Sequence, residues 1–73
     1  MNFVTIEMQK LSDGNIATLT FAFATQPEAE SKFYSIMAVA ALSDVPIHSA
    51  LVVDAHGGIV RSGSYTHELS GGE

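Results

Sequence analysis

The chain contains no cysteine and no tryptophan, and only three of its side chains are basic. Without cysteine, neither a disulfide nor a thiolate metal centre can form. The basic residues Lys10, Lys32 and Arg61 stand against eight acidic ones, and the formal net charge is -5. Nucleic-acid backbones and anionic membrane surfaces both require clustered cations. We therefore expect no nucleic-acid partner and no membrane partner.

Long apolar runs are also lacking. The longest is 36–42 (IMAVAAL), whereas about 18 apolar residues are needed to span a bilayer. The first residues do not show the basic segment and apolar run typical of a signal peptide. We expect a soluble, cytoplasmic protein that forms one small domain over residues 1–73, with 69–73 a frayed tail.

The order of secondary structure is predicted from periodicity and turn residues. Alternating residues predict strands at 3–10 and 16–24, joined by the turn 12–15 (SDGN), and at 47–54 and about 59–68, joined by 55–58 (AHGG). On the first strand, Val4, Ile6 and Met8 share a face opposite that of Thr5. The order ββαββ predicts an α+β fold, with one helix packed on a mainly antiparallel four-stranded sheet.

The helix between the two hairpins is marked by a capping box. Thr25 can cap its first turn, Glu28 stands three residues later, and Pro27 suits the first turn. Residues 43–46 (SDVP) should end it, because a residue before proline leaves the helical region. One face should lie on the sheet and pack with Phe21 and Phe23: Ala29, Phe33, Ile36, Met37 and Ala40.

The segment 36–42 is apolar on every side of this helix, which predicts that a second surface also covers it. So small a chain has little else to supply that cover, and small domains without disulfides often oligomerise. We expect a homo-oligomer, most simply a dimer. Its predicted interface residues are Tyr34, Met37, Ala38, Ala41 and Leu42.

Few polar residues lie in a pattern typical of a catalytic site. Asp44 and His48 flank the corner between helix and strand and could form the orienting half of a catalytic triad, but no nucleophile motif accompanies them. The simpler interpretation is that Asp44 caps a turn and His48 fills the sheet surface. Asp54 could face Arg61 across the second hairpin as an exposed ion pair. We expect the last strand to have a bulge or a weak point at Gly63.

Two segments resemble a family of short, uncharacterised bacterial and prophage proteins: 32–50 (KFYSIMAVAALSDVPIHSA) and 64–68 (SYTHE). The similarity extends over most of the chain, from the first strand to Glu68. It implies a small accessory or structural role in a phage-derived system. The family has no assigned catalytic residues, so none is transferred to this chain.

The leading hypothesis is a non-enzymatic homo-oligomeric module for assembly or partner binding, with no cofactor and no metal. The alternative is a small-ligand or metal-binding domain whose site lies between subunits, lined by His48, Asp54, His56 and His67. A third hypothesis is a small enzyme built on Asp44 and His48.

Overall fold

A computed structural model of the chain describes residues 1–67, and the predicted tail at 69–73 lies outside this range. The elements follow the predicted order ββαββ, with one helix packed on a four-stranded antiparallel sheet. The strands are β1 (Phe3–Lys10), β2 (Ile16–Phe23), β3 (Ile47–Asp54) and β4 (Ile59–Thr66), and the helix is α1 (Gln26–Ala40). Within residues 1–67, no helix has the length and apolarity that crossing a bilayer requires.

The turns of both hairpins depend on glycine and aspartate. Gly14 and Gly57 have φ angles of 91° and 85°, a region that residues with a Cβ rarely enter. Asp13 accepts a hydrogen bond from the backbone N–H of Asn15, 2.9 Å away. These local contacts explain why both turns could be located from sequence.

The capping box at the start of α1 is confirmed. The Thr25 hydroxyl accepts from the backbone N–H of Glu28, and the Glu28 carboxylate accepts from that of Thr25. The end of the helix differs from the prediction, because the last helical residue is Ala40 and Ala41 caps it. Leu42 and Ser43 donate to carbonyls only three residues earlier, which closes the last turn before residues 43–46 are reached.

The sheet has the order β2-β1-β3-β4, so the two hairpins meet through their first strands. β1 and β3 pair antiparallel along their whole length, from Phe3 opposite Asp54 to Lys10 opposite Ile47. This pairing brings together residues that are 37 to 51 positions apart in the chain. No short turn connects the two strands, so the sequence does not mark them as neighbours.

The core lies between α1 and one face of the sheet. Its fully buried apolar members are Ala29, Phe33, Ile36, Ala50 and Val52, and the residues packed against them include Phe21, Phe23 and Met37. Gly63 lies beneath this cluster: a Cβ there would stand 3.2 Å from Phe33 and 3.4 Å from Met37. The bulge predicted at Gly63 is found instead between Val52 and Val53, and Gly63 provides room for the helix.

The face of β1 that lies under the helix is the more polar one. Thr5 is completely buried, and its hydroxyl donates to the carbonyl of Ala29 at 2.8 Å. Val4, Ile6 and Met8 therefore point to the opposite side of the sheet, where they are only half-buried. Since the buried hydroxyl is hydrogen-bonded, its desolvation is compensated.

We expect Phe33→Ala to lower the free energy of unfolding by about 3–5 kcal/mol, because it empties the centre of the core. Leu42→Ala is the matched control: Leu42 is 90% exposed, so its loss should change stability by less than about 0.5 kcal/mol. Urea unfolding followed by circular dichroism measures both. Equal effects of the two substitutions would contradict the assignment of Phe33 to the core.

Candidate functional site

The side of the sheet away from α1 forms a continuous surface, which we call the open face. The register assigns to it every second residue of each strand. No described element packs on this face, since the structure has one helix and it lies on the other side. Its residues are Val4, Ile6, Met8, Lys10, Ile16, Thr18, Thr20, Ala22, Ile47, Ser49, Leu51, Val53, Ile59, Ser62, Ser64 and Thr66.

The open face is apolar in its centre and almost uncharged. Its single charged residue is Lys10, at the end of the central strand β1, and the remaining polar groups are hydroxyls of serine and threonine. Ile16 and Ile59 are 63% and 67% exposed on the two outer strands. Large contiguous apolar patches on soluble proteins typically mark interaction sites. The open face is therefore the strongest candidate surface among the described residues.

The predicted interface on α1 forms a second, narrower exposed surface. Tyr34 and Leu42 are 53% and 90% exposed, and Ala38 and Ala41 are also exposed. Met37 differs from the other four because it is half-buried and packs against the core. We refer to Tyr34, Ala38, Ala41 and Leu42 as the outer helix surface.

The outer helix surface is flanked by charge, unlike the open face. The guanidinium of Arg61 lies 5.6 Å from the centre of the Tyr34 ring and 3.4 Å from the carboxylate of Glu30. Tyr34 also packs edge-on against Phe33. A partner on this surface would have to accommodate these existing contacts at its rim.

A buried carboxylate–imidazole pair joins the two central strands. Nε2 of His48 lies 2.6 Å from a carboxylate oxygen of Glu7, with side chains 3% and 14% exposed. Gln9 donates to the same oxygen at 3.1 Å. The third hypothesis pairs His48 with Asp44, but in the structure its partner is Glu7, because β1 and β3 are neighbours in the sheet. Asp44 is exposed and lines a shallow groove with Leu11, Ser12, Asp13, Val45 and Pro46.

The two side chains are oriented like a catalytic acid–base dyad, but they lack the solvent access of one. Since the carboxylate accepts from Nε2–H, Nδ1 of neutral His48 is an acceptor. This atom is buried and has no hydrogen-bond partner among the residues that the structure describes. Neither nearby serine meets it: Ser49 is on the open face, and the Ser43 hydroxyl accepts from the backbone N–H of Val45. The contact instead ties β1 to β3.

Removing one member of this pair should cost more than removing both. Glu7→Leu leaves Nε2 of His48 buried without an acceptor, and His48→Leu removes one of the two donors to the Glu7 carboxylate, so each should cost about 1–3 kcal/mol. In the double variant neither member of the pair is left buried without the other, and its stability should lie closer to that of the original chain. A double-mutant cycle by urea unfolding measures the coupling. Simple additivity of the two single effects would contradict the buried contact.

The carboxylate of Asp54 forms hydrogen bonds within the turn of its own hairpin. It accepts from the backbone N–H groups of Gly58 at 2.8 Å and His56 at 2.9 Å. The predicted ion pair with Arg61 is wrong, because the hairpin register places Arg61 opposite Val52 and its guanidinium contacts Glu30 instead. His56 is exposed in the same turn.

His67 holds the end of β4 against the end of the helix. Its Nε2 lies 2.8 Å from the carbonyl oxygen of Ala40, and its ring stacks on Tyr65 at a centroid distance of 6.2 Å. Its backbone N–H donates to Pro46 at 2.7 Å. The Ala40 carbonyl also accepts from the backbone N–H of Ser43, so His67 is its second partner.

The four residues of the ligand-binding hypothesis separate into two pairs. His48 and His67 lie at one end of the β3–β4 hairpin, and Asp54 and His56 lie at its turn. Six residues of extended strand separate His48 from Asp54, a distance of about 20 Å. No group of three potential metal ligands occurs among residues 1–67. Only a second copy of the chain could bring the pairs together.

The two backbone hydrogen bonds, from Gly58 first and His56 second, hold the pKa of Asp54 below its ordinary value of 3.8. A carboxyl group whose pKa is lowered in the folded chain stabilises the fold at pH values above its ordinary pKa. This stabilisation is lost as the pH falls through the folded-state pKa. The stability advantage of the original chain over Asp54→Asn should therefore be constant near neutrality and shrink below about pH 4. Urea unfolding at several pH values measures it; an advantage that grows on acidification would contradict the turn contacts.

Comparison of the chain with protein-family models, with curated proteins and with solved structures found no match. The resemblance to short bacterial and prophage proteins thus stays a prediction. The basis for a functional proposal is the geometry of the exposed surfaces.

Proposed function

We propose that the chain is a non-enzymatic homo-oligomeric assembly module whose copies meet through their open faces. The observation that supports this most directly is the composition of that face. An acidic chain with eight carboxylates places none of them among the strand residues of the open face. In a sheet with one face in solvent, apolar residues on the core side normally alternate along each strand with polar or charged residues on the solvent side.

The size of the open face suits a stable contact. Four strands about 4.8 Å apart and eight residues long at about 3.3 Å per residue outline roughly 500 Å² in projection. Because side chains project from this plane, the accessible area is larger. It is comparable with the roughly 800 Å² that each partner buries in a specific interface.

A second copy is the partner that fits this surface best. Two identical chains of net charge -5 repel each other, and the repulsion is weakest when their carboxylates remain on the outside. Contact through the open faces leaves the charges beside α1 pointing away from the interface. A two-fold contact also needs only one self-complementary patch, and a patch of apolar side chains and hydroxyls meets that requirement.

An accessory or structural role in a phage-derived system agrees with such a module. The resemblance of 32–50 and 64–68 to short prophage proteins supports that setting. The outer helix surface then remains available for a different partner, since it lies on the other side of the domain from the open face.

Sedimentation equilibrium tests the proposal. We expect the original chain to associate at about 10–100 μM, and Leu51→Lys to be monomeric there, because a charge on the central strand of the open face would be buried in the contact. Leu42→Lys is the matched control: it places the same charge on the outer helix surface and should leave association unchanged.

Circular dichroism verifies that both variants remain folded. A chain that is monomeric throughout this concentration range would overturn the proposal. Dissociation caused by Leu42→Lys, with Leu51→Lys still associated, would instead locate the contact on the outer helix surface that the sequence predicted.

A further inference from the structure

The strand β2 forms an edge of the described sheet and lacks the usual protection of an edge. Its eight residues, IATLTFAF, include no charge, no proline and no glycine. Its pairing with β1 is regular from Ile16 to Phe23, without a bulge. Natural proteins usually protect such edges with charges, proline or bulges, because the unpaired backbone groups otherwise attract another strand.

The opposite edge, β4, has the features that β2 lacks. It is shifted by the bulge opposite Val52 and Val53, it contains Arg61, and Gly63 interrupts it. The two edges of one sheet therefore differ in their capacity to accept a further strand. This difference indicates that β2 is the pairing edge.

The hydrogen bonds show which backbone groups of β2 are free to pair. The backbone N–H of Leu11 donates to the carbonyl of Asn15 at 2.8 Å. Because hydrogen-bonded and non-hydrogen-bonded pairs alternate along an antiparallel ladder, this bond determines which residues of β2 bond to β1. The backbone groups of Ala17, Leu19, Phe21 and Phe23 point to β1. Those of Thr18, Thr20 and Ala22 point away from the sheet.

On the helix side of this edge, Leu19 is a large apolar residue that its own chain leaves largely uncovered. It lies on the helix side of β2 but is 55% exposed, whereas Phe21 and Phe23 on the same side pack against the core. An apolar side chain beside a row of free backbone groups is suited to contact with a neighbouring strand of similar composition.

We propose that β2 pairs antiparallel with β2 of a second copy, about a two-fold axis at Leu19, and so forms one continuous sheet. This register sets Thr18 opposite the second copy's Thr20 and packs the two copies of Leu19 together. Threonine pairs across strands are favourable. The inference rests on the homo-oligomer of the proposed function and adds a contact distinct from the open face.

Amide hydrogen exchange, followed by NMR on the associated protein, tests the pairing. The amides of Thr18, Thr20 and Ala22 should exchange at least about 100-fold more slowly than those of Ser62, Ser64 and Thr66, which point outward from β4. Equally fast exchange at both edges would overturn the pairing.

Three substitutions test the same pairing by sedimentation equilibrium. Thr20→Pro removes one outward N–H without breaking a bond to β1 and should weaken the β2 contact at least tenfold. Thr20→Val keeps that N–H with a side chain of similar shape and should weaken the contact much less than Thr20→Pro, since only the threonine side-chain contact is lost. Ser64→Pro removes the equivalent group from β4 and should leave the slow exchange of the β2 amides unchanged.

The outcomes separate the two proposals. A chain that is monomeric in all measurements overturns both of them. Association that is lost in Leu51→Lys but unchanged in Thr20→Pro, with fast exchange along β2, overturns the β2 pairing alone. Protected β2 amides and a selective effect of Thr20→Pro support it.

Discussion

The structure depends on one geometric constraint: a single helix must cover a sheet of four strands. A helix with its side chains is about 10 Å wide, whereas four strands at about 4.8 Å spacing extend over roughly 19 Å. α1 therefore covers the centre of one sheet face, where Phe33 and Ile36 meet Val52. It leaves Leu19 exposed on the same side and the whole opposite face without cover. Both surfaces proposed for assembly are consequences of this shortage of covering elements.

Local features of the fold could be predicted from sequence because residues close in the chain determine them. The capping box of Thr25 and Glu28, the turn at Gly14 and the alternation of β2 are all of this kind. The end of the helix was harder, because the apolar run 36–42 continues past the last helical residue, Ala40. The sequence predicts a helix apolar on all sides over this run, whereas Leu42 belongs to the turn that follows the helix.

The polar contacts could not be predicted, because they depend on strand order and strand register. Glu7 and His48 are far apart in sequence and meet only because β1 and β3 are neighbours. Arg61 reaches Glu30 rather than Asp54 because the register of the β3–β4 hairpin sets Arg61 opposite Val52. The faces of β1 were recognisable from sequence, but which face lies under the helix was not. Thr5 is buried, and its hydroxyl is hydrogen-bonded to the Ala29 carbonyl. In the sequence alone, such a threonine looks the same as one exposed to solvent.

The two proposed contacts are compatible with each other, since an edge and a face of one sheet lie in different directions. Pairing of β2 strands places both open faces on the same side of a sheet twice as wide. Contact between the open faces of two such sheets then covers the apolar surface of every copy. In that assembly the only remaining edges are those of β4, where the bulge and Arg61 oppose further addition of strands. Growth would thus stop at a closed assembly with two-fold symmetry, and the carboxylates exposed on the helix side of each copy would remain in solvent.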